Sequence, residues 1–197
     1  MIKIITTGER HKFLEEFPKT IMNVTDEDAM LLRILIEAKG AQRGLEVGSS
    51  TGYGALNMGV AFERTGGKLV TIDTDPQMVK VTKENLKIFG LEKTVTAIEG
   101  DAIDVLQLIE GQFDFVFLDA VKEDYFKYFE AIRPKLDDRA LLVADNVILS
   151  ADKMRDFFQF MERSSEWEMV IVQCSSEKGD GMAICKNISI SDCPNVY

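Results

Sequence analysis

The chain has 197 residues, 46% apolar and 28% charged, which is the profile of one globular domain long enough to bury a real core. Wholesale disorder is excluded by that composition, and no apolar run approaches the roughly 20 residues that span a bilayer. The formal net charge is −10, with basic residues dispersed among acids. This argues against a nucleic-acid partner, because affinity for phosphate backbones comes from clustered Lys and Arg.

Two helices are expected first: Glu9 to Phe17, broken by Pro18, and Asp26 to Ala38, ended by Gly40. His11 lies in the charged N-terminal segment and reads as a solvated surface residue. That segment, MIKIITTGERHKFLEEF, has no apolar signal core before a small-residue cleavage site, so a cytoplasmic protein without a membrane anchor is expected.

From there apolar runs alternate with amphipathic segments. GLEVG (44–48), KLVTID (68–73), TVTAIEG (94–100), DFVFLD (114–119) and ALLVAD (140–145) read as short strands buried on both faces. Between them, YGALNMGVAFER, PQMVKVTKENLKIFG, AIDVLQLIE and KEDYFKYFEAIRPKL carry apolar residues at helical spacing. Pro76 marks a helix start and Gly90 its stop. Repeated strand–helix alternation predicts a parallel, doubly wound α/β sheet. A helix over Ala151 to Arg163 follows, then WEMVIVQC and MAICKNI around the turn EKGDG. These predict an antiparallel hairpin at the sheet edge and bring the strand count to seven. The expected organisation is one domain over 1–197: N-terminal helices in 1–40, an α/β core in 41–187 and a loose tail in 188–197. Cys174, Cys185 and Cys193 form neither a C-x-x-C pair nor an even framework, so no disulfide or structural zinc is expected, and Cys185 reads as a buried thiol.

The first strand runs into E-V-G-S-S-T-G-Y-G, Glu46 to Gly54. Glycines at a strand-to-helix turn let the backbone pass close to a ligand, and open α/β sheets bind ligands outside the carboxyl ends of their strands. The spacing is neither the dinucleotide G-x-G-x-x-G nor a phosphate loop ending in G-K-[ST]. Taken alone it is as consistent with tight packing as with a ligand. The second strand ends in Asp73, an acid placed to accept from ribose hydroxyls. The third ends in E-G-D-A, where Asp101 and Ala102 are placed to meet an adenine ring. Three such positions at successive strand ends describe a nucleoside pocket.

The fourth and fifth strands end in Asp119 and in Asp145-Asn146. Side by side, two carboxylates and an amide form the oxygen ligand set of a hard divalent cation such as Mg²⁺. Lys122 follows Asp119 by three residues, within reach of whatever the metal holds. Singly, each Asp could simply end a strand and Lys122 could be a solvated helix-start residue. The pairing and the pocket upstream favour chemistry.

Together, LEVGSSTGYGAL, LDAVKEDY, ADNV and GDGMAICK resemble the metal-dependent, S-adenosylmethionine (SAM)-using O-methyltransferases of the catechol and caffeoyl-coenzyme A group, over about Met22 to Lys186. The resemblance implies a Rossmann-like SAM methyltransferase fold. It implies that Glu46, Gly48 and Ser49 hold the methionine portion of SAM, Asp73 the ribose, and Asp101 and Ala102 the adenine side. M-N-V, from Met22 to Val24, matches a segment that covers the cofactor. Asp119, Asp145 and Asn146 fall on the metal ligands, Asp119 also bordering the cofactor, and Lys122 falls on the catalytic lysine. Gly54 departs from the pattern, since relatives usually carry there a serine that binds the cofactor's carboxylate. That bond must come from elsewhere, with Ser49, Ser50 or a backbone N–H as candidates. Thr20 and Val121 stand where the animal enzyme has aromatic walls, and Cys174 or a neighbour where it has an acid.

The activity implied is methyl transfer from SAM to one hydroxyl of a catechol-type vicinal diphenol, with Mg²⁺ orienting the diol and Lys122 taking the proton. The runner-up keeps fold and cofactor and methylates a hydroxylated tRNA base. A nucleotide-binding dehydrogenase is disfavoured by the glycine spacing, and a non-catalytic SAM-binding protein by the intact lysine and ligands. The expected partner is a small aromatic diol. The family's microbial and plant members are homodimers and its animal member a monomer, which leaves both states open here.

Overall fold

The computed structural model describes residues 7–188. Its five parallel strands are β1 (Arg43–Val47), β2 (Lys68–Asp73), β3 (Val95–Glu99), β4 (Phe113–Leu118) and β5 (Leu136–Ala144). Two further strands, β6 (Trp167–Ser175) and β7 (Asp180–Asn187), pair antiparallel with each other, and β7 pairs antiparallel with β5. The sheet has seven strands in the order β3-β2-β1-β4-β5-β7-β6. The doubly wound sheet with an edge hairpin is therefore present. The tail residues 189–197, Cys193 among them, lie outside the described residues.

Seven helices connect or precede the strands: α1 (Thr7–Glu15), α2 (Asp26–Lys39), α3 (Tyr53–Thr65), α4 (Pro76–Phe89), α5 (Ala102–Leu108), α6 (Tyr125–Ile132) and α7 (Arg155–Arg163). Their ends follow local chemistry. Thr25 and Asp28 close a reciprocal capping box at the start of α2, and Gly40 ends it in the left-handed region. Asp75 caps α4 by accepting from Gln77 and Met78 N–H, with Pro76 in the first turn.

The alternation of side chains along each strand divides the core in two. On one face Phe115, Phe117, Leu69 and Val143 pack with Leu32, Ile36, Leu56, Phe62 and Phe89 of α2, α3 and α4. On the other, Leu45, Val116, Leu118 and Leu142 pack with Leu106, Phe129 and Phe157 of α5, α6 and α7. Burial on both faces is why the parallel strands read as continuous apolar runs.

Two elements depart from the sequence expectation. β5 begins at Leu136, four residues before ALLVAD, because its first half is exposed Asp137, Asp138 and Arg139, with Arg139 at φ 62°. Polarity and a left-handed residue hide that half from an apolar-run reading. The segment 151–163 is a 3-10 turn, Ala151–Lys153, followed by α7, the two separated by Met154 at φ −114°. Met154 is fully buried and anchors the break.

Candidate active site

The backbone ladders run one residue past the strand ends and bring the candidate residues into line. Gly48 N–H donates to Ile72 O at 2.8 Å, Asp119 N–H to Val47 O at 2.9 Å, and Asp145 N–H to Leu118 O at 3.0 Å. Gly48, Asp119 and Asp145 thus sit on three adjacent strands at one edge of the sheet. Gly48 has φ 95°, and a Cβ there would lie 2.2 Å from Asp119 O, so only glycine lets the loop cross the end of β4 so closely.

Asp73 faces this loop and is already engaged by it. Its Oδ2 accepts from Ser49 N–H at 3.0 Å and Ser50 N–H at 2.9 Å, and its Oδ1 from Asp75 N–H at 3.0 Å. The carboxylate therefore shapes the loop. Asp101 caps α5 through Ile103 N–H at 2.8 Å, with Ala102 buried beside it. The 20–25 segment docks on the same loop, since Thr51 Oγ1 donates to Asn23 Oδ1 at 3.1 Å. Lys178 from the β6–β7 turn holds that segment by donating to Asn23 O at 2.9 Å. Val24 is buried in the core while Met22 is 69% exposed, so a contact from Met22 would come from outside the core.

The catalytic candidates meet around β4 and β5. Lys122 Nζ donates to Asp119 Oδ1 at 2.8 Å and to the Tyr125 hydroxyl at 2.8 Å, with the lysine and Asp119 side chains only 16% and 14% exposed. The Tyr125 hydroxyl donates in turn to Leu118 O at 2.9 Å, with Asp145 O at 3.2 Å. Tyr125 is fully buried, and burial with the charges of Asp119 and Asp145 keeps its phenol protonated. It is a fixed post that aims the lysine at the strand ends.

Asp145 is buried, its Oδ1 accepting from Asn146 N–H at 2.7 Å. Burial pushes its carboxyl up, and the charges of Asp119 and Asp28 push the same way against Lys122. Neighbouring carboxylates, of which Asp119 is paired with Lys122, favour an added cation. No three His, Cys, Asp or Glu side chains among the described residues group as a metal site. Only two acids meet here, and a third protein oxygen would have to come from the Asn146 amide. That donor set is all oxygen and suits a hard cation.

Three contributors escaped the sequence reading. Asn146 sits at φ 57°, and the loop it opens is held by Asp180, which stands in the turn EKGDG and in GDGMAICK with no role assigned from sequence. The buried Asp180 Oδ1 accepts from Ile148 N–H at 2.9 Å, Leu149 N–H at 3.2 Å and Gly181 N–H at 2.8 Å. Asp28, visible as T-x-x-D, is fully buried and accepts from Ser175 Oγ at 2.6 Å and Cys174 Sγ at 3.1 Å. Burial and this carboxylate push the Cys174 thiol up to about 12, so the thiol stays neutral. Tyr125 closes LDAVKEDY, where nothing in the sequence announces its contact with Lys122.

Asp180→Ala is expected to destabilise the protein by roughly 3 kcal/mol, because three N–H donors lose a charged acceptor. Thermal unfolding measures the loss, and amide exchange at Ile148 and Leu149 should quicken. An unchanged melting temperature would remove Asp180 as the anchor of the loop.

Two shallow concavities lie along α4 and beside α6 and α7, and neither includes Asp119, Lys122 or Asp145. No helix among the described residues is long and apolar enough to cross a membrane. Cys174 and Cys185 are free thiols, and the His11 side chain is 77% exposed beside Glu15.

A catechol O-methyltransferase of Niastella koreensis is 34% identical over 139 residues, which is 68% of this chain and 62% of that protein. A flavonoid 3',5'-methyltransferase of Vitis vinifera is 28% identical, covering 83% of this chain and 66% of its own length, so the chain spans a little under two thirds of these two relatives. Among solved structures, TomG of Streptomyces achromogenes, an O-methyltransferase in complex with SAM, superposes with a TM-score of 0.80 at 25% identity, covering 92% of this chain and 89% of that one. The family model described as O-methyltransferase matches residues 6–188, and the chain belongs to that family.

Proposed function

We propose that this protein transfers a methyl group from SAM to one hydroxyl of a catechol-type diphenol, with the help of a divalent cation. The observation that carries the reading is Lys122 held between Asp119 and Tyr125 beside the buried Asp145. A base, two metal-type carboxylates and a nucleotide-type loop share one sheet edge.

The cofactor pocket has support of its own. Glu46 Oε2 is buried and without a hydrogen-bond partner beneath the glycine loop, and Asp73 accepts from Ser49 and Ser50 N–H of that loop. SAM would supply an electrophilic methyl, and the cation would acidify and orient the diol. This chain's residues do the rest. Asp119, Asp145 and Asn146 would hold the cation. Lys122 would accept the proton of the attacking hydroxyl. Cys174, Val121 and Thr20 would border the ring. Methylation of a tRNA base gains no support from a chain of net charge −10, in which Lys19 and Lys153 are paired with Asp26 and Glu123.

Incubation with labelled SAM, Mg²⁺ and a panel of catechols beside hydroxyuridine-containing tRNA tests the reading. Label in the catechol products is expected. Label in tRNA alone would replace the substrate class. Ahead of turnover, S-adenosylhomocysteine (SAH) at 100 times its Kd should raise the melting temperature by on the order of 5–10 °C, as ligand bound only by the native state must. No shift at saturating SAH would overturn the cofactor assignment.

A further inference from the structure

Eleven large apolar side chains are exposed among the described residues, and five of them stand on three loops beside the candidate active site. Ile21 and Met22, 92% and 69% exposed, precede the buried Asn23. Val121, 55% exposed, follows Asp119 closely in the chain, and Ile148 and Leu149, 38% and 68% exposed, follow Asn146. None of the five belongs to either half of the core. Apolar side chains exposed singly are ordinary, but a group of them around a functional edge marks a surface that a ligand covers.

Hydrogen bonds tie the three loops into one rim. The 20–25 segment is fixed to the glycine loop through Thr51 Oγ1, and to the β6–β7 turn through Lys178 Nζ on Asn23 O. That turn runs into Asp180, whose Oδ1 accepts from Ile148 and Leu149 N–H. Lys153, just past the same loop, pairs with Glu123 at 3.1 Å and links it to the loop that carries Val121. The apolar side chains therefore stand on backbone held in place beside the ends of β4 and β5, before any ligand arrives.

The charges of the rim limit what it can take. Of the cations on and just beyond these loops, Lys19, Lys122, Lys153 and Arg155 are paired with Asp26, Asp119, Glu123 and Asp152, and Lys178 donates to Asn23 O. A carboxylate or a chain of phosphates would meet cations already engaged. A hydrocarbon chain would meet side chains that lose water on contact.

We infer that this rim holds the substituent of the acceptor, and that the substrate is a diphenol bearing an uncharged apolar chain, not a carboxylated diphenol or a coenzyme A thioester. This rests on the diphenol reading above and narrows it. Contacts made away from the reacting atoms are the same in the bound and the transition state, so they should lower KM and leave kcat unchanged.

Calorimetric titration of the SAH- and Mg²⁺-loaded protein with methyl-, propyl- and pentylcatechol tests the inference. A methylene buried in full is worth about 4-fold in affinity, and on a rim open to water about half of that is expected, so pentylcatechol should bind ~10-fold more tightly than methylcatechol. Dihydroxybenzoate and a dihydroxycinnamoyl-coenzyme A thioester should bind more weakly than methylcatechol. In the double variant Ile21→Asn/Leu149→Asn the pentyl-to-methyl ratio, which cancels any loss common to all catechols, should shrink to about 2-fold. With SAM in place of SAH, KM should follow the same order at steady kcat. A flat series in the unchanged protein overturns the inference whether or not the variant folds. So does a series equally steep in a folded variant, or tighter binding of the carboxylate or the thioester. Binding of no catechol at all would fail the diphenol reading itself, a result distinct from a flat series.

Discussion

EDTA is expected to abolish methyl transfer, and Mg²⁺ to restore it. Asp119 and Asp145 end adjacent strands, and Asp145 is held in a buried position where its charge is disfavoured by burial and by Asp119 and Asp28. A divalent cation would reverse that penalty, since the carboxylates would then face positive charge. Lewis-acid assistance is worth several kcal/mol and each ~1.4 kcal/mol is tenfold in rate, so Asp145→Ala should lose at least about 10²-fold in kcat/KM. The same variant should keep its affinity for SAH, because its carboxyl is not part of the loop that Asp73 shapes. The pH dependence follows from the direction of the Asp145 shift. A carboxyl raised above the ordinary range must lose its proton to bind a cation, so apparent metal affinity should weaken as pH falls through that raised value. Titration of Mg²⁺ activation at several pH values measures it. Full activity in EDTA would place this protein with metal-independent methyltransferases, and Asp119 and Asp145 would become structural acids.

The parts of this arrangement that could be read from the chain are those written in short stretches of sequence. Buried parallel strands announce themselves as apolar runs, and the residue closing each run, Gly48, Asp73, Asp119 or Asp145, lands at the carboxyl edge because the sheet is parallel. The candidate ligating and catalytic positions are legible for that reason. What escaped depends on contacts between distant segments. Asp28 and Cys174 are 146 residues apart, and nothing local in either stretch announces their contact. Asp180 looks like any turn acid until Ile148 and Leu149 donate to it across 31–32 residues of chain. The exposed start of β5 was missed because Asp137 to Arg139 carry no apolar signal, although the strand pairs there with Phe113 through a register shift. Gly54 is legible as a departure, but the close approach of the Glu46 carboxyl beneath it is not.

Lys122→Met is expected to lower kcat by roughly 10²-fold or more while leaving SAH affinity and metal binding nearly unchanged, the pattern of a lost general base. The structure places Lys122 Nζ between Asp119 Oδ1 and the Tyr125 hydroxyl, both at 2.8 Å, so the side chain is aimed before any substrate arrives. Methionine keeps most of the aliphatic volume and removes the nitrogen, which isolates proton transfer from packing. Activity of the variant should recover in part as pH rises, because hydroxide can then deprotonate the acceptor. It should recover more with a nitro-substituted catechol, which is ionised without help. Tyr125→Phe should do less harm than Lys122→Met, since it loosens the lysine without removing it. Normal kcat with a raised KM in Lys122→Met would make the lysine a substrate-positioning residue. The proton would then leave through the cation and water, and the contact with Asp119 would serve to hold the acid in place.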